Sequence, residues 1–277
     1  MTPGVFARTY AARFPGELFA RIRGDGFSSV QFNLSCARLA SLPAELPDGV
    51  AAAVAEGARR EGVVLSALSG TYNMAHPDAT RRARDRRALA NVIRAARDMG
   101  VSLVTLCTGS RDPEDMWRAH PDNASGQAWA TLRDELEHAL GLADTYGVAL
   151  GIEPEPANVV ANAVLARRIL DEMDSPRLGI VLDAANLLPR DVLPRQHEIV
   201  AQAADLLGGN LLLVHAKDID ASGNVVPAGK GAVDLPAFVA RVSAAGYDGP
   251  LIAHNFAESA APEVAAYLAS LIGSRTS

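Results

Sequence analysis

Cysteine is scarce: Cys36 and Cys107 are the two that occur in 277 residues. A pair so placed matches neither a disulfide framework nor a C-x-x-C metal site, so both are expected as buried free thiols. Long apolar runs are missing as well. No segment offers the roughly 20 apolar residues of a membrane span, and the opening MTPGVFARTYAARFPG lacks an apolar core preceded by lysine or arginine. The expectation is a cytoplasmic protein with no membrane partner. An excess of positive charge is absent too. The chain carries 26 Lys and Arg against 32 Asp and Glu, a formal net charge of -6. Without a basic stripe to displace counterions, DNA and RNA are not expected partners. The densest basic stretch, residues 81–100, sets Leu89, Val92, Ile93, Ala96 and Met99 on one helical face, which predicts a solvated face for its arginines.

What the chain does have is apolar material in a regular order. Hydrophobic residues make up 49% and charged residues 21%, enough for a large core. Eight short apolar runs recur: VFARTY (5–10), VQFN (30–33), VVLSALS (63–69), VSLVTLC (101–107), VALGIEP (148–154), LGIVLD (178–183), LLLVHAK (211–217) and PLIAHNF (250–256). Amphipathic stretches separate them, such as Trp129, Leu132, Leu136, Leu140 and Ala143, or Leu235, Phe238, Val239 and Val242. Several stop at a glycine just before the next run, at Gly62, Gly100, Gly147 and Gly246. Strand and helix in alternation predict βαβ units and a parallel sheet, and eight units suit a (β/α)8 TIM barrel, which typically takes about 250 residues. A doubly wound open sheet usually carries a G-x-G-x-x-G turn after its first strand, and none follows VFARTY. No linker or composition break interrupts residues 1–277, so one barrel domain is expected.

In such a barrel the active site lies at the C-terminal ends of the strands. Polar residues gather there: Glu153 and Glu155 after the fifth run, Asp183 and Asn186 after the sixth, His215, Lys217 and Asp218 after the seventh, His254 and Asn255 after the eighth. Alternation along a strand turns Gly151 and Glu153 to one face, as it does Gly179, Val181 and Asp183, or Leu213 and His215, and a glycine beside an inward carboxylate is expected to leave room for a ligand. Two carboxylates and an imidazole from neighbouring strands suit Mn2+, Mg2+, Co2+ or Zn2+. The competing reading is a buried ion-pair network at the barrel mouth. Lys217 is expected either to stabilise an oxyanion or bind a phosphate, or to pair with Asp218. Gly229, Lys230 and Gly231 form either a phosphate-binding turn or a turn leading to Asp234 as a helix N-cap. Two long loops, TYNMAHPD and TGSRDPEDMWRAHPDNAS, bring further candidates for substrate contact. Trp117 is placed to stack on a sugar or to pack its loop, Arg111 to pair with an acidic group, and His76 and His120 to bond hydroxyls or sit at the surface.

At GVALGIEPEP, LGIVLDAANL, LLLVHAKD and GYDGPLIAHNF, with GKGAVDLPAF in between, the chain resembles the sugar phosphate isomerase/epimerase family of xylose isomerase-like barrels. The resemblance implies a divalent metal held by Glu153, Asp183 and His215 together with a Glu after the eighth strand. Here His254 stands at that fourth place, and Asn186 stands where epimerases of the family often have His. The expected chemistry is isomerisation or epimerisation of a small sugar or sugar-derived ketone through an enediolate. Glu153 is the expected base, with Glu155, His254 or Lys217 as its partner, and Asn186 is expected at a sugar hydroxyl. An inosose-type dehydratase (a lyase) and a non-catalytic metal- or sugar-binding barrel are the alternatives. A homo-oligomer is compatible with the sequence.

Overall fold

Each of the eight apolar runs contributes a strand. The computed structural model describes residues 1–11 and 15–273. Its strands are β1 (Thr2–Phe6), β2 (Ser29–Phe32), β3 (Val64–Ser69), β4 (Leu103–Cys107), β5 (Ala149–Glu153), β6 (Leu178–Asp183), β7 (Leu211–His215), β8 (Asp218–Ile219), β9 (Val225–Val226) and β10 (Pro250–Ala253). All but β8 and β9 close into a parallel barrel in the order β1-β10-β7-β6-β5-β4-β3-β2, and β8 pairs antiparallel with β9 as a small hairpin after β7.

The helices are α1 (Pro15–Gly24), α2 (Val50–Arg60), α3 (Ala79–Asp98), α4 (Gly126–Tyr146), α5 (Ala163–Met173), α6 (Ala184–Leu187), α7 (Gln196–Leu207), α8 (Leu235–Ala244) and α9 (Ala261–Gly273). Side-chain caps begin several of them: Asp78 for α3, Ser125 for α4, Asn162 for α5 and Asp234 for α8. Gly62, Gly100, Gly147 and Gly246 all have positive φ, the left-handed turn that ends a helix and is costly for a residue with a Cβ. The apolar faces pack inward. Leu89, Val92 and Ile93 of α3 are fully buried, each worth about 1.5–3 kcal/mol by area removed from water.

Three expectations are corrected. The first strand runs over Thr2–Phe6, and Ala7–Thr9 form a 3-10 turn. Pro3 and Gly4 look like turn residues, yet Gly4 is a packing position: a Cβ there would lie 2.4 Å from Ile252 Cδ1. Gly151 likewise makes room for the barrel interior rather than for a ligand, since a Cβ would lie 2.8 Å from Val181 Cγ2. Ala67, Leu103, Val181, Leu213 and Ile252 fill that interior below the mouth. Finally, the basic face of α3 is not wholly solvated. Arg82 and Arg86 bond the buried Glu135 of α4, at 3.1 Å (Arg82 Nε to Oε1) and 2.8 Å (Arg86 Nη2 to Oε1). Tyr72 donates its hydroxyl to the same carboxylate at 2.8 Å, tying the loop after β3 to both helices.

Candidate functional site

The barrel brings four strand-end residues to one point. Asp183 closes β6 and caps α6, its Oδ1 accepting the backbone N–H of Ala185 at 2.8 Å. That bond fixes the carboxylate and turns Oδ2 into the barrel mouth. There it meets His254 Nε2 at 2.8 Å, Lys217 Nζ at 3.6 Å and His215 Nδ1 at 3.8 Å. Across the mouth, Glu153 Oε1 lies 3.1 Å from His215 Nδ1 and accepts a hydrogen bond from Asn186 Nδ2 at 3.0 Å. Asn186 Oδ1 accepts from Lys217 Nζ. One donor atom from each of Glu153, Asp183, His215 and His254 lies within 4.8 Å of the others, and all four residues are buried.

A residue not foreseen as functional orients the centre. Gln31, inside β2, places Oε1 2.7 Å from His215 Nε2 and donates from its own Nε2 to Thr105 Oγ1 at 3.1 Å. With the amide nitrogen donating to Thr105, Oε1 faces the ring, and His215 Nε2 is the donor in that pairing. His215 Nδ1 is thereby left to face the carboxylates. The available signal was a polar side chain within an otherwise apolar strand run, at Gln31 in VQFN and Thr105 in VSLVTLC.

Charge is distributed unevenly. Burial alone would raise the carboxyl of Asp183, but the Lys217 ammonium and the bond with His254 override it and hold the group well below the carboxylate range. Glu153 is also lowered, burial being outweighed by His215 beside it. For His215, burial opposes protonation but the Glu153 carboxylate prevails and raises it. His254 is lowered, by burial first, with the charge of His215 adding to it. Lys217 is raised, because Asp183 and Glu155 outweigh its burial. Glu155 goes the other way. Burial and then the charge of Glu153 push it up to about 7.

Glu153, Glu155, His215, Lys217 and His254 line a pocket of about 670 Å3 with Phe6, Gln31, Thr105, Trp117 and Phe256. Trp117 is 51% exposed at its wall. Its loop is fastened by Arg118 to Asp112 at 2.6 Å and by Asn158 Nδ2 to the Met116 carbonyl at 2.9 Å. Other candidate residues have partners within the protein. His76 is buried against the Pro113 carbonyl and the Asp78 N–H, and Arg111 bonds the Ala75 carbonyl. Neither lines the pocket; these bonds tie the loops after β3 and β4 to each other. His120 accepts the N–H of Asp122 within its own loop. Asn186 is buried between Glu153 and Lys217, so its amide bonds the cluster rather than facing the pocket. Lys217 turns to Asp183 and not to Asp218, which instead accepts the N–H groups of Gly229, Gly231 and Val233. Those bonds consume the backbone donors that a phosphate would need. A second cavity of about 430 Å3 lies between α7 and α8, away from this cluster.

The donor set fits a divalent cation. Ligands about 2.0–2.2 Å from one ion lie roughly 3–4 Å from one another; three separations in the cluster, 2.8, 3.1 and 3.8 Å, come near that spacing, and all four donor atoms lie within 4.8 Å of one another. With the proton of His215 on Nε2, its Nδ1 would meet Glu153 lone pair to lone pair unless a positive charge lay between them. A second ring proton or a metal ion supplies that charge.

Fold and site together define a (β/α)8 barrel with a carboxylate and imidazole centre at its C-terminal mouth. The chain belongs to the xylose isomerase-like TIM barrel family, whose model matches residues 19–272. No curated protein matches the sequence. Among solved structures it is similar to the 3-keto-D-glucoside 4-epimerase YcjR from E. coli, with 17% identity, TM-score 0.78, and 98% of this chain and 99% of that one covered. It is also similar to the IOLI protein with a bound zinc atom, at 16% identity, TM-score 0.75 and 99% of each chain. D-allulose 3-epimerase from Methylomonas sp., in complex with D-allulose, has 15% identity and TM-score 0.74, covering 99% of this chain and 97% of that one. At these identities the likeness carries the fold.

Proposed function

We propose that this protein is a divalent-metal-dependent isomerase or epimerase of a small sugar or sugar-derived ketone, working by proton abstraction next to a carbonyl. The observation that carries the reading is the convergence of Glu153, Asp183, His215 and His254, three of which, Glu153, His215 and His254, line the pocket. The sugar epimerases of the same fold support it, as does the zinc-bound neighbour. A bound Mn2+, Mg2+, Co2+ or Zn2+ ion would stabilise the negative charge that develops on the substrate oxygens.

The chain's own residues divide the remaining work. Glu153 spends Oε1 on His215 and Asn186 and has a lowered pKa, which suits holding a cation better than accepting a proton. Glu155 faces the same pocket with a carboxyl near neutrality, the range in which a side chain both takes and returns a proton. It is therefore assigned as the proton carrier in place of Glu153. Lys217, kept charged by Asp183, stabilises the enediolate oxygen. One free carboxylate favours returning the proton to the face it left, hence isomerisation over two-base epimerisation.

Solvent deuterium exchange into a panel of ketoses and aldoses, followed by NMR, tests the reading. The native protein should incorporate deuterium. Glu155→Gln should abolish exchange with the metal content unchanged, and Glu153→Gln should lose both. Undiminished exchange in Glu155→Gln would remove it as proton carrier, and an ultraviolet-absorbing enone product would overturn isomerisation in favour of dehydration.

A further inference from the structure

The cation that this centre prefers can be read from its donors, on the proposed reading that it holds one. Two of the four converging groups are imidazoles: His254 Nε2 lies 2.8 Å from Asp183 Oδ2, and His215 Nδ1 lies 3.1 Å from Glu153 Oε1. Their rings stand 4.6 Å apart, centroid to centroid, and tilted by 59°, so both reach the centre without stacking. Within this set of four the anionic donors are Glu153 and Asp183, and Glu155 belongs to a separate group with Glu153 and Cys107. Part of that charge is already answered, because the Lys217 ammonium sits 3.6 Å from Asp183 Oδ2.

Hard cations such as Mg2+ depend on oxygen ligands and on anionic charge, and Mg2+ sheds water reluctantly. Imidazole suits Zn2+, Co2+ and Fe2+, whose bonds to nitrogen have more covalent character. A centre with two nitrogens, two carboxylates and a resident ammonium is poor in what Mg2+ and Mn2+ need. We propose that it selects borderline cations, Zn2+, Co2+ or Fe2+, over Mg2+ and Mn2+, and that His254 is the residue that sets the selection.

Most sites with nitrogen and oxygen donors bind Zn2+ above Mn2+ to some degree, so the deciding quantity is how the ratio changes when the nitrogen is replaced. Protein stripped with chelator is titrated with Zn2+ and with Mn2+ against a chromophoric competitor, as the native chain and as His254→Glu. The ratio of Zn2+ to Mn2+ affinity should fall at least tenfold in the variant, mainly through tighter Mn2+ binding. Pulsed EPR of the native protein loaded with Cu2+ provides a readout that needs no variant, and should show two coordinated imidazoles. A ratio unchanged within threefold, or one coordinated imidazole, overturns the selection while leaving the enolising reading intact. Failure of every ion to bind the native protein overturns both.

Discussion

Gln31 offers the sharpest test of how the barrel prepares its centre. It is 3% exposed and bonds His215 Nε2 at 2.7 Å and Thr105 Oγ1 at 3.1 Å. Gln31→Leu keeps the volume close to native but leaves the ring N–H without its acceptor and the Thr105 hydroxyl without its donor. An unsatisfied buried polar group costs about 1–3 kcal/mol, and Thr105 can turn its hydroxyl, so the chelated protein should lose about 1–3 kcal/mol in urea denaturation. The functional effect is separate. Freed of its partner, His215 can rotate or move its proton to Nδ1, the atom that faces Glu153, and losses of this kind cost about 10–100-fold in metal affinity. Gln31→Glu keeps an acceptor at Nε2 and should retain affinity. The assay is the same competitive Zn2+ titration, run on the native protein and both variants. If Gln31→Leu binds Zn2+ within twofold of native, Gln31 does not orient His215.

Elsewhere, Trp117→Ala removes an exposed aromatic wall of the pocket. Aromatic contacts are worth about 0.5–1.5 kcal/mol, so KM for the active sugar should rise roughly 2–10-fold with kcat nearly unchanged, whereas a Trp117 that only packs its loop would leave KM alone. Glu135→Leu strands two arginines and the Tyr72 hydroxyl, with side chains of Arg82 and Arg86 only 16% and 27% exposed. Breaking a buried pair costs about 3–5 kcal/mol, and the residual solvent reaching the arginines reduces the expected loss to about 2–3 kcal/mol by urea denaturation. Asp112 is held below the usual carboxylate range by its hydrogen bond with Arg118 and by the N–H groups of Asp115 and Glu114. A depressed folded pKa contributes stability present above the unfolded value and lost as pH falls. The urea midpoint of the native chain should therefore drop further below about pH 4 than that of Asp112→Asn, and identical slopes would show that the carboxylate contributes nothing.

Much of the molecule is legible in one dimension. Strand ends project polar groups because side chains alternate every two residues, so Glu153, Asp183, His215 and His254 mark themselves as apolar runs give way to charge. Asp234 likewise reads as a helix cap and is one, accepting the N–H of Ala237 at 2.9 Å. Partner choice is less legible. Lys217 has an acid next to it in sequence, yet the strand end carries its ammonium to Asp183, while Asp218 is taken up by the turn over Gly229 and Gly231. His76 and Arg111 have the chemistry of substrate ligands, but loop carbonyls reach them first. A sequence shows which groups want partners and not which of several offers lies nearest.

The sequence by itself determined the eight-unit barrel and the acids and imidazoles at its mouth, because helix and strand periods and their glycine stops are local properties of the chain. Only the closed barrel decided that Gln31 would meet His215, 184 residues away, that Arg82 and Arg86 would leave the solvated face for Glu135, and that Glu153 and Glu155 would differ. The physical reason lies in burial and neighbouring charge. Glu153 is lowered by an imidazole brought to it across the barrel, while Glu155, two residues on, is raised by desolvation and by Glu153 itself.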